Sequence, residues 1–291
     1  MTSYYAEVLM QRAAEKENPS GGWFPSQNTS FKEAGDLYQQ AANAFRLEKQ
    51  SKEAGGAFCK EAECREKAGE EADAANVYLK AAKTPHQFKE EYPDLAIRAL
   101  ESAIRLLHRI GQFRQAADRE KEIANIWLQG ISDIGKACES FERAGEWYSQ
   151  ENAQATANAC FKDAADLHAE LDHFPVAIEL YEKVANYSLT SALTMYSVKD
   201  HWLRAGLCAL ATQDTVTARR NLQRYGTQDA TFPSTREGKF LESLVEAIEA
   251  GDIEAFTAAV VEFDKITKLD NWKTIILSKI ENGIQDEPGL T

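Results

Sequence analysis

Few residues in this 291-residue chain are spaced as chemistry would require. Gly130-Ile131-Ser132-Asp133-Ile134-Gly135-Lys136-Ala137 has the spacing of a phosphate-binding loop, in which backbone amides cradle phosphates and the lysine reaches the outer ones. Ala137 stands where a magnesium-holding hydroxyl belongs, and Ile123 to Leu128 continues a helical pattern where a strand is needed, so an ordinary helix start is expected. The five histidines (His86, His108, His168, His173, His201) form no HExxH pair and have no cysteine at metal-ligand spacing, which makes them core or surface imidazoles. Five cysteines, with no CxxC among them, predict free thiols in a reducing compartment. Serine, histidine and aspartate occur without a nucleophile-elbow sequence. The reading is therefore no enzyme, no metal and no cofactor.

Charge is the remaining signal. Acidic residues number 46 against 33 basic ones, a net charge of −13 that opposes broad binding to a phosphate backbone, so no nucleic-acid partner is expected. The signs are unevenly placed. Leu95 to Lys121 holds six bases (Arg98, Arg105, Arg109, Arg114, Arg119, Lys121) and three acids, and Arg98, Arg105 and Arg109 share one helical face. Phe240 to Asp264 holds seven acids and no base, with Glu242, Glu246 and Glu249 along one face. Either run is a solvated face or a contact surface, and a basic stretch with an acidic one suits a protein that bridges two unlike partners. No cationic and apolar leader is visible, and no apolar run approaches the ~18 residues that cross a bilayer, so membrane contact is expected to be peripheral and the location cytoplasmic.

The elements that position these charges follow from a repeat. Alanines 34, 54, 74, 96, 116, 137, 157 and 177 are separated by 20, 20, 22, 20, 21, 20 and 20 residues, and most are followed four positions later by a bulky residue and then by a second alanine (Ala34/Tyr38/Ala42, Ala54/Phe58/Ala62, Ala157/Phe161/Ala165). Such spacing lies on one helical face, where alanine lets neighbouring helix axes approach and the ring fills the adjacent groove. One helix of about 15 residues per unit, paired into hairpins, predicts an all-α, right-handed solenoid of tetratricopeptide-like antiparallel hairpins. Gly69 and Gly111 read as helix C-caps, and Pro85 and Pro93 interrupt the widest gap. The repeat fades after about Asn186. Helices at Arg236 to Ala250, Ile253 to Ile266 and Trp272 to Gln285, the first capped by Ser234 or Thr235, then form a C-terminal bundle. The organisation read is 1–30 for an N-terminal helix and aromatic loop, 31–230 for the repeats, 231–285 for the bundle and 286–291 for a flexible tail. In the loop, Trp23 and Phe24 sit among prolines and glycines that forbid helix, and such rings either tuck into the core or meet another surface.

Several segments carry a family resemblance: Glu33 to Phe45, Gly111-Gln112-Phe113-Arg114, Ala144 to Tyr148, Ser197 to Cys208, and Glu262 to Trp272. Together they resemble the alpha-type soluble NSF attachment proteins, fungal ones most closely, over essentially the whole chain. The resemblance implies an adaptor that wraps the SNARE four-helix complex and recruits NSF, a hexameric ATPase, hydrolysing nothing itself. It implies SNARE contacts at Lys199 and Arg204, with Arg114, Arg119 and Lys162 near Asp118, Ala159 and Asp163, where animal members have lysine. It implies NSF contacts at Asp214, Glu246 and Glu249, ATPase activation through Leu290, and membrane contact through Trp23 and Phe24. The alternative reading is a tetratricopeptide-like scaffold that holds peptide tails of other partners.

Overall fold

The structure is a computed structural model describing residues 2–18, 27–83 and 88–286, so Trp23, Phe24 and Leu290 lie outside the described residues. Every element in the described residues is helical, with no strand among them. The chain divides into two compact units, residues 1–157 and 158–291.

The first unit holds α1 (Thr2–Glu17), α2 (Gln27–Leu47), α3 (Ser51–Lys67), α4 (Glu71–Lys83), the short α5 (Phe88–Glu91), α6 (Pro93–Arg109), α7 (Phe113–Ile126) and α8 (Ile134–Gln150). Successive long helices pack on one another, α1 on α2, α2 on α3 and so on to α8. All eight leading alanines of the repeat, from Ala34 to Ala177, have no exposed surface. Their bulky partners are buried beside them: Tyr38, Phe58, Tyr78, Leu100, Phe141, Phe161 and Tyr181. A methyl group between helices permits close approach, and the rings fill the grooves that remain.

The period has a local cause. Helices α3, α6 and α8 each run 17 residues. A three-residue turn follows each, closed by the bonds Glu70 N→Arg65 O (2.9 Å), Gln112 N→Leu107 O (2.8 Å) and Ala153 N→Tyr148 O (2.8 Å). These bonds are the six-to-one closure of a Schellman turn, which needs one left-handed residue. Gly69 (φ 79) and Gly111 (φ 73) supply it, and in related turns Lys49 and Asn152 adopt φ 60 and 56. The 21-residue gap between Ala116 and Ala137 spans the one π-helical stretch among the described residues, Trp127–Ile131, whose wider turn takes an extra residue.

The second unit holds α9 (Gln154–Glu170, whose first turn carries the division), α10 (Phe174–Ser188), α11 (Val198–Ala211), α12 (Thr215–Gln228), α13 (Arg236–Ala250), α14 (Ile253–Ile266) and α15 (Asn271–Asp286). Here α11 is central, packed against α10, α12, α13 and α15. It is buried on nearly every side, Trp202, Leu203, Leu207 and Cys208 included. Trp202 stacks on Tyr225 (5.1 Å) and meets Phe232 edge-on (5.0 Å). Thr235 caps α13 by accepting from the Gly238 amide at 3.0 Å. A side chain at Gly238 would place Cβ 2.2 Å from the Phe232 carbonyl oxygen, so only glycine lets the Phe232–Ser234 turn lie there.

The alanine spacing makes a direct prediction. Leucine at buried Ala96 overfills the helix contact and is expected to destabilise the protein by about 1–3 kcal/mol, whereas leucine at exposed Ala72 changes stability by less than about 0.5 kcal/mol. Urea denaturation of the two variants measures this, and equal stability would mean the alanines do not set the packing.

Candidate functional site

The phosphate-loop spacing resolves into a helix cap. Ser132 is left-handed (φ 62) after the π-helical stretch, and the Asp133 carboxylate accepts from the Lys136 amide at 3.0 Å, taking a donor that a phosphate would use. Lys136 turns back over the Trp127 ring at 4.1 Å. None of the five cysteines forms a disulfide, and four of them are buried. Among the described residues no group of three or more histidine, cysteine or acidic side chains is placed to hold a metal ion.

The basic run of the first unit is largely neutralised from within. Arg105 binds Glu66 bidentately (2.6 and 2.9 Å), Arg109 binds Glu66 (2.9 Å) and Glu71, and the Arg105 hydrogen bond holds the Glu66 carboxyl below its usual range. Arg119 is tied to Glu122 at 2.8 Å, while Arg98 and Arg114 are exposed. Asp118 accepts from the Tyr148 hydroxyl and stands with Glu90, Lys121 and Glu122 in a groove of about 640 Å³.

In the second unit the candidate cations gather at the start of α11. Lys199, in the first turn, is about half exposed and pairs with Glu237 of α13 at 3.1 Å. Lys162 on α9 pairs with Asp166 at 2.6 Å. Beside them, Leu193, Met195 and Tyr196 are exposed in the α10–α11 connection, Leu193 at 92%. Arg204 is placed quite differently from a surface contact: only 6% of it is exposed. Its guanidinium donates to Asp166 (3.1 Å), Asp200 (3.2 Å) and Asp270 (2.6 Å) and lies 4.6 Å from the centre of the Trp272 ring. Lys273 closes the cluster on Asp200 (2.8 Å) and Asp270 (3.2 Å). Burial alone would raise the Asp200 carboxyl, but Lys273 and Arg204 bring it below its ordinary value of 3.8. Asp270 is likewise lowered, against burial, by the Lys273 amide and by Arg204.

The candidate acids gather at the other end of the same helix. Asp214 lies just past α11, where its exposed carboxylate caps α12 by accepting from the Thr217 amide at 2.9 Å and is lowered by those bonds. Glu249, in the last turn of α13, takes a two-pronged bond from Arg219 (2.7 and 3.2 Å) that also lowers it. Glu246 is exposed. The 14 residues of α11 rise about 20 Å, which separates Lys199 from Asp214.

The sequence reading missed Asp166, Asp200, Asp270 and Lys273. Its available signal was the four-residue step from Asp200 to Arg204, which places a carboxylate one helical turn from the guanidinium.

These elements define an all-α, tetratricopeptide-like helical-repeat protein with charged surfaces set by buried packing. The family model for "Soluble NSF attachment protein, SNAP" matches residues 5–285, and the chain belongs to that family. It is 63% identical over 286 residues to the "Vesicular-fusion protein SEC17" of Coprinopsis cinerea, covering 98% of each chain. It is 39% identical over 284 residues to the "Alpha-soluble NSF attachment protein" of Saccharomyces cerevisiae, covering 96% of each. Among solved structures, a signal-transduction ATPase with a tetratricopeptide repeat sensor from Pyrococcus horikoshii aligns with a TM-score of 0.48 at 15% identity, over 97% of this chain and 44% of that one.

The Arg204 cluster predicts acid sensitivity. A carboxylate held below 3.8 contributes stability that is complete above that value and is lost as pH falls through its lower folded value. Melting followed by circular dichroism from about pH 6 to pH 2.5 should show the loss below about pH 4. Asp270→Asn should flatten that loss, and an unchanged profile would remove Asp270 from the cluster's energetics.

Proposed function

We propose that this chain is a non-catalytic, cofactor-free adaptor that binds assembled SNARE four-helix complexes and recruits and stimulates the NSF ATPase, acting in vesicle fusion and intracellular transport. It does so from the cytoplasm, with peripheral membrane contact through Trp23 and Phe24. Family membership and the names of the relatives support this reading, and one structural observation carries it: Lys199 at one end of α11, Asp214 and Glu249 at the other. Two surfaces about 20 Å apart on one buried helix can engage different partners at once. No helix among the described residues is long and apolar enough to cross a membrane.

The SNARE side uses Lys199 and Lys162, with Arg114 and Arg119 from the first unit. Exposed Leu193, Met195 and Tyr196 add apolar contact beside Lys199. Because these lysines already hold carboxylates, binding exchanges one acidic partner for another, so each contact is worth under about 1 kcal/mol and affinity comes from their number. The NSF side uses Asp214, Glu246 and Glu249 against a basic surface, and Leu290 stimulates ATP turnover.

Charge reversal tests the first surface. Lys199→Glu is expected to weaken binding of a soluble SNARE four-helix complex about fivefold to tenfold at physiological salt, measured by pull-down against a concentration series. Undiminished binding would remove Lys199 from the interface. Serine at both Trp23 and Phe24 should spare NSF-driven disassembly of soluble complexes and slow it on liposomes. Equal loss in both settings would make the rings core residues.

A further inference from the structure

The family resemblance assigns Arg204 to the SNARE surface with Lys199, but its surroundings assign it other work. Three carboxylates from three different elements converge on one guanidinium: Asp166 from α9, Asp200 from α11 and Asp270 from the turn that starts α15. The planar fork of arginine spans such a set, and a single ammonium does not. The same group packs on Trp272, whose indole N–H donates to the Asp166 carbonyl at 3.1 Å and whose ring meets Tyr181 edge-on at 5.8 Å. Asp166 in turn holds Lys162. One residue thus ties the first turn of α15 to α9 and α11, the two helices that carry Lys162 and Lys199.

We propose that Arg204 is a positioning residue: it clamps α15 onto α9 and α11 and so fixes the aim of Lys162 and Lys199, without itself touching the partner. The clamp also unites two stretches far apart in sequence, Ser197 to Cys208 and Glu262 to Trp272, through Arg204, Asp270 and Trp272. The half of this inference that concerns SNARE binding rests on the proposed function; the clamp itself does not.

The test uses the full chain with Arg204→Lys, Arg204→Gln, Asp270→Asn and Lys199→Glu. A clamp predicts that lysine fails to replace arginine. Both Arg204 variants should lower the melting temperature by about 5–10 °C and speed amide hydrogen exchange in α15. Asp270→Asn should give a smaller shift that does not add to that of Arg204→Lys. At a temperature where it remains folded, Arg204→Lys should weaken SNARE-complex binding about fivefold although its charge is kept, while Lys199→Glu, which removes the partner of Glu237 on α13, weakens binding with α15 exchange unchanged. The opposite pattern would overturn the proposal: Arg204→Gln melting and exchanging like wild type but binding poorly, with Arg204→Lys restoring binding. If Arg204→Gln fails to fold, Arg204→Lys and Asp270→Asn decide the matter. Melting and exchange need no partner, so if Lys199→Glu shows the SNARE reading to be wrong, those two measurements still judge the clamp.

Discussion

The close approach of helices at buried alanines is the constraint on which the rest depends. A methyl group at each contact lets adjacent axes come together, and the ring or leucine four residues on fills the space that alanine leaves. Where a 17-residue helix is followed by a three-residue turn, as at α3, α6 and α8, the anchoring alanine recurs after 20 residues and one turn closure is reused. In the second unit this regularity gives way to a different solution, with α11 surrounded by four other helices and its polar residues confined to its start and to the Arg204 cluster.

That packing decides what the charges can do. The chain carries a net charge of −13, yet most of its notable cations are held by carboxylates of neighbouring helices: Arg105 and Arg109 by Glu66, Lys199 by Glu237, Lys162 by Asp166. A partner meeting such a surface competes with internal ion pairs, which keeps each contact weak and makes the number of simultaneous contacts the source of affinity. Salt screens the exposed pairs and affects the Arg204 cluster less, because its two cations, Arg204 and Lys273, are buried even though Asp200 and Asp270 stay partly open to water.

Much of this was legible in the residues. The alanine spacing located eight fully buried anchors, Ala34 to Ala177, and Arg236–Ala250 and Ile253–Ile266 have the bounds that their flanking Gly251, Asp252 and Thr235 indicate. Glycines 69 and 111 announced their turns and Asn152 is the next best residue for one, whereas Lys49 takes the same left-handed conformation with a side chain that does not advertise it, because the helix packing on either side imposes the turn. Arg204 was illegible for a related reason. Its carboxylate partners lie 38 and 66 residues away as well as four, and no local pattern distinguishes an arginine in a buried cluster from one on an open face. The arginines at 105 and 109 do share a face, but the glutamate that neutralises them belongs to another helix.

The proposed bridging role rests on two separate surfaces at the ends of α11. Hydrogen exchange of the full chain, alone, with a soluble SNARE four-helix complex, and with that complex plus NSF, tests it most directly. The expected result is slowed exchange at the start of α11 and in α9 on adding the SNARE complex, and slowed exchange around Asp214 and the end of α13 only when NSF is added. Slowing of the same segments by both partners, or of the Asp214 end by the SNARE complex alone, would contradict it.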